Sequence, residues 1–158
     1  MAASESYQSD VTYIPLSVFN ARIEAESVDP NAVSDSPVTD DVGIRIVNVS
    51  GATGNGQALG YIAPGSYAEY EINVPAAGTY DLYVSTAGID NGATLNFGDG
   101  TTEDAFGSAG PFQNSGYQTY YVDSFEDALT FTSAGIQTVR ITFVNSLDFD
   151  WFTIIPAQ

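Results

Sequence analysis

From Ala21 onward the chain is a series of short runs in which apolar and polar residues alternate, the period expected of strands with one buried face. The runs are RIEAES (22–27), GIRIVNV (43–49), ALGYI (58–62), YAEYEINV (67–74), TYDLYVST (79–86), ATLNF (93–97), YQTYYV (117–122), ALTFT (128–132), IQTVRITF (136–143) and FDWFTII (149–155). In 79–86, Tyr80, Leu82 and Val84 fall on one face and Asp81, Tyr83 and Ser85 on the other. In 136–143, Ile136, Thr138, Arg140 and Thr142 oppose Gln137, Val139, Ile141 and Phe143, giving one polar and one apolar face. Turn-forming pairs separate the runs, among them Asp29-Pro30, Ser36-Pro37, Pro64-Gly65, Asp99-Gly100 and Ala134-Gly135. About ten strands at this spacing, with no convincing helix, predict an all-β sandwich or barrel. Residues 98–116 and 28–41 are expected to be the long loops. Residues 1–20 read as a polar linker and 21–158 as one domain.

Charge narrows the partners. The 158 residues carry 20 acidic side chains against three arginines, with no histidine, for a formal net charge of −17. Such a surface repels phosphate backbones and anionic lipid, so neither nucleic acid nor a membrane is an expected partner. Sulfated and uronic-acid polymers are disfavoured on the same ground. A neutral ligand or a cation is favoured. Without cysteine there are no disulfides, thiolate metal sites or cysteine nucleophiles. Without histidine there is no Ser-His-Asp triad. No apolar run is long enough to span a bilayer as a helix.

Carboxylates are the remaining candidates for chemistry. Glu24 and Glu26 stand two apart, on one face if 22–27 is a strand, and Asp150 lies on the last run. Carboxylates that converge without a basic partner repel, and a divalent cation with hard-oxygen preference relieves this. Composition alone equally allows ordinary solvated edge carboxylates.

Four blocks in order resemble the family 6 carbohydrate-binding modules. They are Arg22-Ile23-Glu24-Ala25-Glu26; Leu59-Gly60-Tyr61-Ile62 followed by Gly65-Ser66-Tyr67-Ala68-Glu69-Tyr70; Pro75-Ala76-Ala77-Gly78-Thr79-Tyr80; and Asp150-Trp151-Phe152. The resemblance covers roughly residues 21–156. It implies a jelly-roll β-sandwich of two antiparallel sheets, a structural Ca2+ ion and a sugar site in loops at one end. On the resemblance, Glu24, Glu26 and Asp150 hold the ion with a backbone carbonyl near Gln57. Tyr61 and Tyr117 become the aromatics that sandwich a sugar. Asp148 stands where the family carries a hydrogen-bonding asparagine, and Arg45 falls near a polar lining position, within reach of Asp148. Departures are Ser66 for an acidic residue, a longer loop after Glu26, Tyr117 for tryptophan and Asp148 for asparagine.

Trp151 is expected to pack in the core. Tyr83 or Tyr121 is a further candidate to line a second site on the concave sheet face. The implied function is non-catalytic binding of a neutral β-linked polysaccharide of xylan, β-glucan or agarose type. The module would belong to a secreted, longer chain with an attached glycoside hydrolase domain, and act as a monomer. Two rival classes are a calcium-tied adhesion domain that binds protein, and a hydrolase using paired carboxyls about 5–9.5 Å apart. The short chain and the absence of any acid/base motif argue against catalysis.

Overall fold

The computed structural model describes residues 22–28, 44–53, 56–88, 92–112 and 116–158. The expected linker over 1–20, and all but the first residue of the expected loop over 28–41, lie outside them. The described residues form ten strands: β1 (Ile23–Glu24), β2 (Arg45–Asn48), β3 (Gln57–Gly60), β4 (Tyr67–Val74), β5 (Gly78–Ala87), β6 (Leu95–Gly98), β7 (Gly107–Ala109), β8 (Tyr121–Phe131), β9 (Gly135–Phe143) and β10 (Asp148–Pro156). Every pairing is antiparallel. The hydrogen-bonded path runs β2-β3-β10-β5-β8-β7-β6-β9-β4, with β1 added on β10.

That path curls into two layers. Phe152 on β10 meets Tyr70 on β4 at 5.2 Å between ring centroids and Phe97 on β6 at 6.5 Å, while Phe149 meets Phe143 on β9 at 5.6 Å. None of these strands is a hydrogen-bonded neighbour of β10, so the contacts cross a core between facing layers, as in a β-sandwich. Alternation decides which residues enter it. Tyr80, Leu82 and Val84 of β5 and Val139, Ile141 and Phe143 of β9 are buried, and the predicted polar face of β9 leaves Ile136 exposed. Truncating one of the fully buried phenylalanines to alanine costs about 3–5 kcal/mol.

Three expectations about elements change. The run 22–27 is not one strand: after Glu24 the chain winds into a short 3-10 turn, Ala25–Ser27, closed by a hydrogen bond from the Val28 N–H to the Ala25 carbonyl. The expected loop 98–116 contains β7, which pairs with β6 through Leu95↔Ala109, Asn96↔Ser108 and Phe97↔Gly107. The runs 117–122 and 128–132 are not separate strands. β8 joins the end of the first to most of the second, with a register irregularity opposite Asp81, where Asp127 takes φ 52° and donates its N–H to the Asp81 carboxylate at 2.9 Å. Tyr117 to Tyr120 precede it as a loop.

Candidate functional site

Two adjoining features of one end of the sandwich gather most of the predicted residues. The first is a cleft of about 550 Å³ lined by Tyr61, Tyr117, Gln118 and Asp148 together with Gly60, Asn48 and neighbours. Tyr61 follows directly on β3 and Tyr117 lies in the loop before β8. They are 60% and 73% exposed, in contrast to the core tyrosines Tyr70 and Tyr80. Tyr61 and Gln118 hold φ at 55° and 56°, a left-handed conformation that side chains other than glycine seldom take. Such backbone costs on the order of 1–3 kcal/mol and concentrates where a site must be shaped.

Gly60 is required by closeness rather than by φ. A Cβ there would stand 3.2 Å from the Asp148 Oδ1 and 3.1 Å from Val47, so glycine lets the Asp148 carboxylate lie against β3. Asp148 is half-buried, and that burial pushes its carboxyl above the ordinary value of 3.8. The guanidinium of Arg45 lies over the Tyr61 ring, 4.6 Å from its centroid. Arg45 is not itself among the residues that line the cleft, but it stacks on one of the two tyrosines that are.

The second feature is built around Asp150, the one charged residue among the fully buried polar groups of the described chain. The sequence folds this way because of a β-bulge. Phe149 pairs with Thr86 and Trp151 with Ser85, so Asp150 is the extra residue between them. At the same point the outer neighbour of β10 changes from β3, through Phe149↔Leu59, to β1, through Glu24↔Trp151. The first strand thus pairs with the last, and Asp150 sits at the junction.

Asp150 Oδ2 accepts hydrogen bonds from the Thr53 N–H, the Thr53 hydroxyl and the Ser85 hydroxyl, each at 3.1 Å. Thr53 Oγ1 in turn accepts from Trp151 Nε1 at 2.8 Å and from Arg22 at 3.1 Å, which uses the hydroxyl's full capacity. Asp150 Oδ1 is buried with no hydrogen-bond partner, as is Glu24 Oε2, and both carboxylate oxygens of Glu26 are shielded from solvent. The Glu24 Oε1 is held by Arg22 at 2.6 Å, a basic neighbour that the sequence reading did not assign. Burial and the charge of Glu26 together hold the Tyr70 hydroxyl well above its ordinary value. Gln57 stands at the start of β3 opposite Asn48, with its amide donating to the Asn48 side chain at 3.2 Å.

A buried carboxylate oxygen with no donor is costly unless something neutralises it. Two such oxygens, from Glu24 and Asp150, fit the donor chemistry of a hard divalent cation. The carboxylates do not stand ready as a cage, since no group of three acidic side chains among the described residues lies at metal-ligand spacing.

Other expectations are corrected here. Trp151 is not in the core. It is partly exposed on the outer face, with Arg22 5.1 Å from its ring centroid, while Phe152 beside it is fully buried. Of the two alternatives for a second site, Tyr83 pairs with Ser124 and Tyr121 with Thr86, three residues along each strand, so at most one of them lies on a given face. Thr53, Ser85 and Tyr120 were not anticipated. The Tyr120 hydroxyl is buried without a hydrogen-bond partner, and burial together with the charges of Asp148 and Asp150 raises its pKa.

An all-β sandwich with an aromatic-walled cleft at one end is an architecture suited to holding a sugar. The family model described as carbohydrate binding module (family 6) matches residues 37–156, three quarters of the chain, and the chain belongs to that family. The match starts after the Arg22–Glu26 block. Among solved structures, the fold is similar to a carbohydrate-binding module from Cellvibrio mixtus lichenase 5A in complex with cellotriose (TM-score 0.69, 22% identity, 89% of this chain and 99% of that one). It is also similar to a family 6 module from Clostridium stercorarium in complex with cellobiose (TM-score 0.66, 21% identity, 87% and 94%). A third is a β-1,3-glucan-binding family 6 module from Bacillus halodurans (TM-score 0.64, 20% identity, 87% and 96%). At these identities the likeness concerns the fold. No curated protein matches the chain.

Proposed function

We propose that this carbohydrate-binding module is non-catalytic and holds a neutral β-linked polysaccharide, of xylan, β-glucan or agarose type, in the cleft between Tyr61 and Tyr117. The observation that carries the reading is the exposure of these two rings on one cleft with a carboxylate between strand and loop beneath them. A pyranose presents an apolar C–H face that stacks on an aromatic ring, and hydroxyls that need polar partners. Ionised Asp148 accepts only, so it takes hydroxyl donors from the sugar. Arg45, stacked on Tyr61, steadies that ring. The charge of −17 supports a neutral polymer over a sulfated one.

The Asp150 pocket is proposed to take Ca2+ through Glu24, Glu26 and Asp150, with a carbonyl near Gln57. The ion supplies charge neutralisation, and its binding draws the carboxylates together and ties β1 to β10. In a longer secreted chain the module would bring an attached glycoside hydrolase to its substrate.

Affinity gel electrophoresis over neutral and sulfated polysaccharides tests the reading. Retardation by at least one of xylan, laminarin, lichenan or agarose, and none by a sulfated polymer, is expected. Retardation by the sulfated polymer alone would contradict it.

A further inference from the structure

Two loops meet between the cleft and the Asp150 pocket. One, residues 50–53, carries Thr53, whose N–H and hydroxyl both bond Asp150 Oδ2. The other, residues 116–120, carries Tyr117 and Gln118, whose side chain bonds the Tyr117 hydroxyl at 3.1 Å. Gly51 is where they touch. A Cβ on Gly51 would stand 2.3 Å from the Gln118 carbonyl oxygen and 3.2 Å from the Tyr120 ring. Gly51 lacks the positive φ that would demand glycine on its own account, so closeness to the neighbouring loop is what requires the missing side chain. The contact is with backbone, which has no rotamer by which to yield.

Tyr120 completes the junction from the other side. Its ring lies against Gly51 and its hydroxyl is buried without a partner. The hydroxyl feels the charge of Asp148, which lines the cleft, and of Asp150, the buried carboxylate beside it. A group in the field of both sites responds to what fills either one.

We infer that Gly51 and Tyr120 are positioning residues that join the Asp150 pocket to the Tyr117 wall of the cleft, so that a divalent cation in the pocket orders the loop that presents Tyr117. The inference rests on the calcium reading of the Asp150 pocket given above. Filling the pocket fixes Asp150, and through its oxygen Thr53. Thr53 holds the 50–53 loop, and Gly51 transmits that position to the Gln118 carbonyl. An ordered wall loses less freedom when a ligand stacks on it, so cation and ligand each strengthen the other's binding by the same factor.

Hydrogen exchange read by mass spectrometry, on the intact chain with calcium and with chelator, tests this without any sugar. In the parent protein calcium slows exchange at both 50–53 and 116–120. In Gly51→Ala, where the Gln118 carbonyl must move away, calcium still slows 50–53 but its effect at 116–120 falls at least five-fold. Tyr120→Phe removes one atom and keeps the ring, so it serves if the alanine variant misfolds. It too retains protection at 50–53 and loses part of it at 116–120. Calcium protection at 50–53 with none at 116–120 in the parent overturns the coupling, as does full protection of both loops in the two variants. Protection at neither loop in the parent removes the calcium reading itself, and the inference with it.

Discussion

Thr53 spends two donors, its backbone N–H and its hydroxyl, on a single oxygen of Asp150, both at 3.1 Å. Asp150 comes from a bulge in the last strand and Thr53 from the loop after β2, 97 residues away in sequence. The pair closes one side of a buried carboxylate and leaves its second oxygen buried without a hydrogen-bond partner.

Thr53 is itself exposed, yet removing its hydroxyl should cost stability because that hydroxyl bonds the buried Asp150 carboxylate. Thr53→Ala leaves Trp151 Nε1 without its acceptor and takes one donor from Asp150, a loss of roughly 1–3 kcal/mol. Thr53→Ser keeps the hydroxyl and is expected to lose less than half of that. Urea unfolding of both variants checks the difference. Equal stability of Thr53→Ala and the parent would show that the hub contributes nothing.

Calcium added to chelated protein is expected to raise the unfolding temperature. Binding to the folded state alone contributes about 2.7 kcal/mol at a hundredfold excess over Kd. Asp150→Ala should abolish the rise, and Glu26→Gln should reduce it. Differential scanning fluorimetry with and without calcium reads both, and an unchanged parent would remove the ion from the account.

Asp148 supplies a pH dependence with a definite sign. Burial raises its folded pKa above 3.8. Below that value folded and unfolded chains both carry the proton and the burial has no electrostatic cost. Above the raised folded value the folded chain must hold a half-buried charge. The stability of the parent relative to Asp148→Asn thus falls as pH rises through the window directly above 3.8. Melting temperatures of the two proteins across mildly acidic pH give the test. A parent that gains on the asparagine variant as pH rises would reverse the assignment.

Strands with strict alternation were legible in the sequence, and β4, β5, β9 and β10 lie where the pattern puts them. β7 was not, because Gly107-Ser108-Ala109 has no large apolar residue and forms a strand through its pairing with β6 and β8. The continuity of β8 was hidden by Glu126-Asp127, two charged residues between the alternating runs, where the strand bends with the Asp127 N–H held by Asp81. The cleft residues Tyr61, Tyr117 and Asp148 were reached through resemblance, and they do converge. Thr53, Ser85 and Tyr120 carried no local signal, since their roles come from contacts across the sequence.

Titration calorimetry of Tyr61→Ala and Tyr117→Ala against the oligosaccharide that the parent binds tests the central claim most directly. Each ring buried on a sugar contributes on the order of 1–3 kcal/mol, and 1.4 kcal/mol is about tenfold in Kd. Each variant is expected to bind about tenfold or more weakly with little change in melting temperature, since both rings are mostly exposed. Folded variants that both bind as tightly as the parent would place the sugar elsewhere and contradict the account.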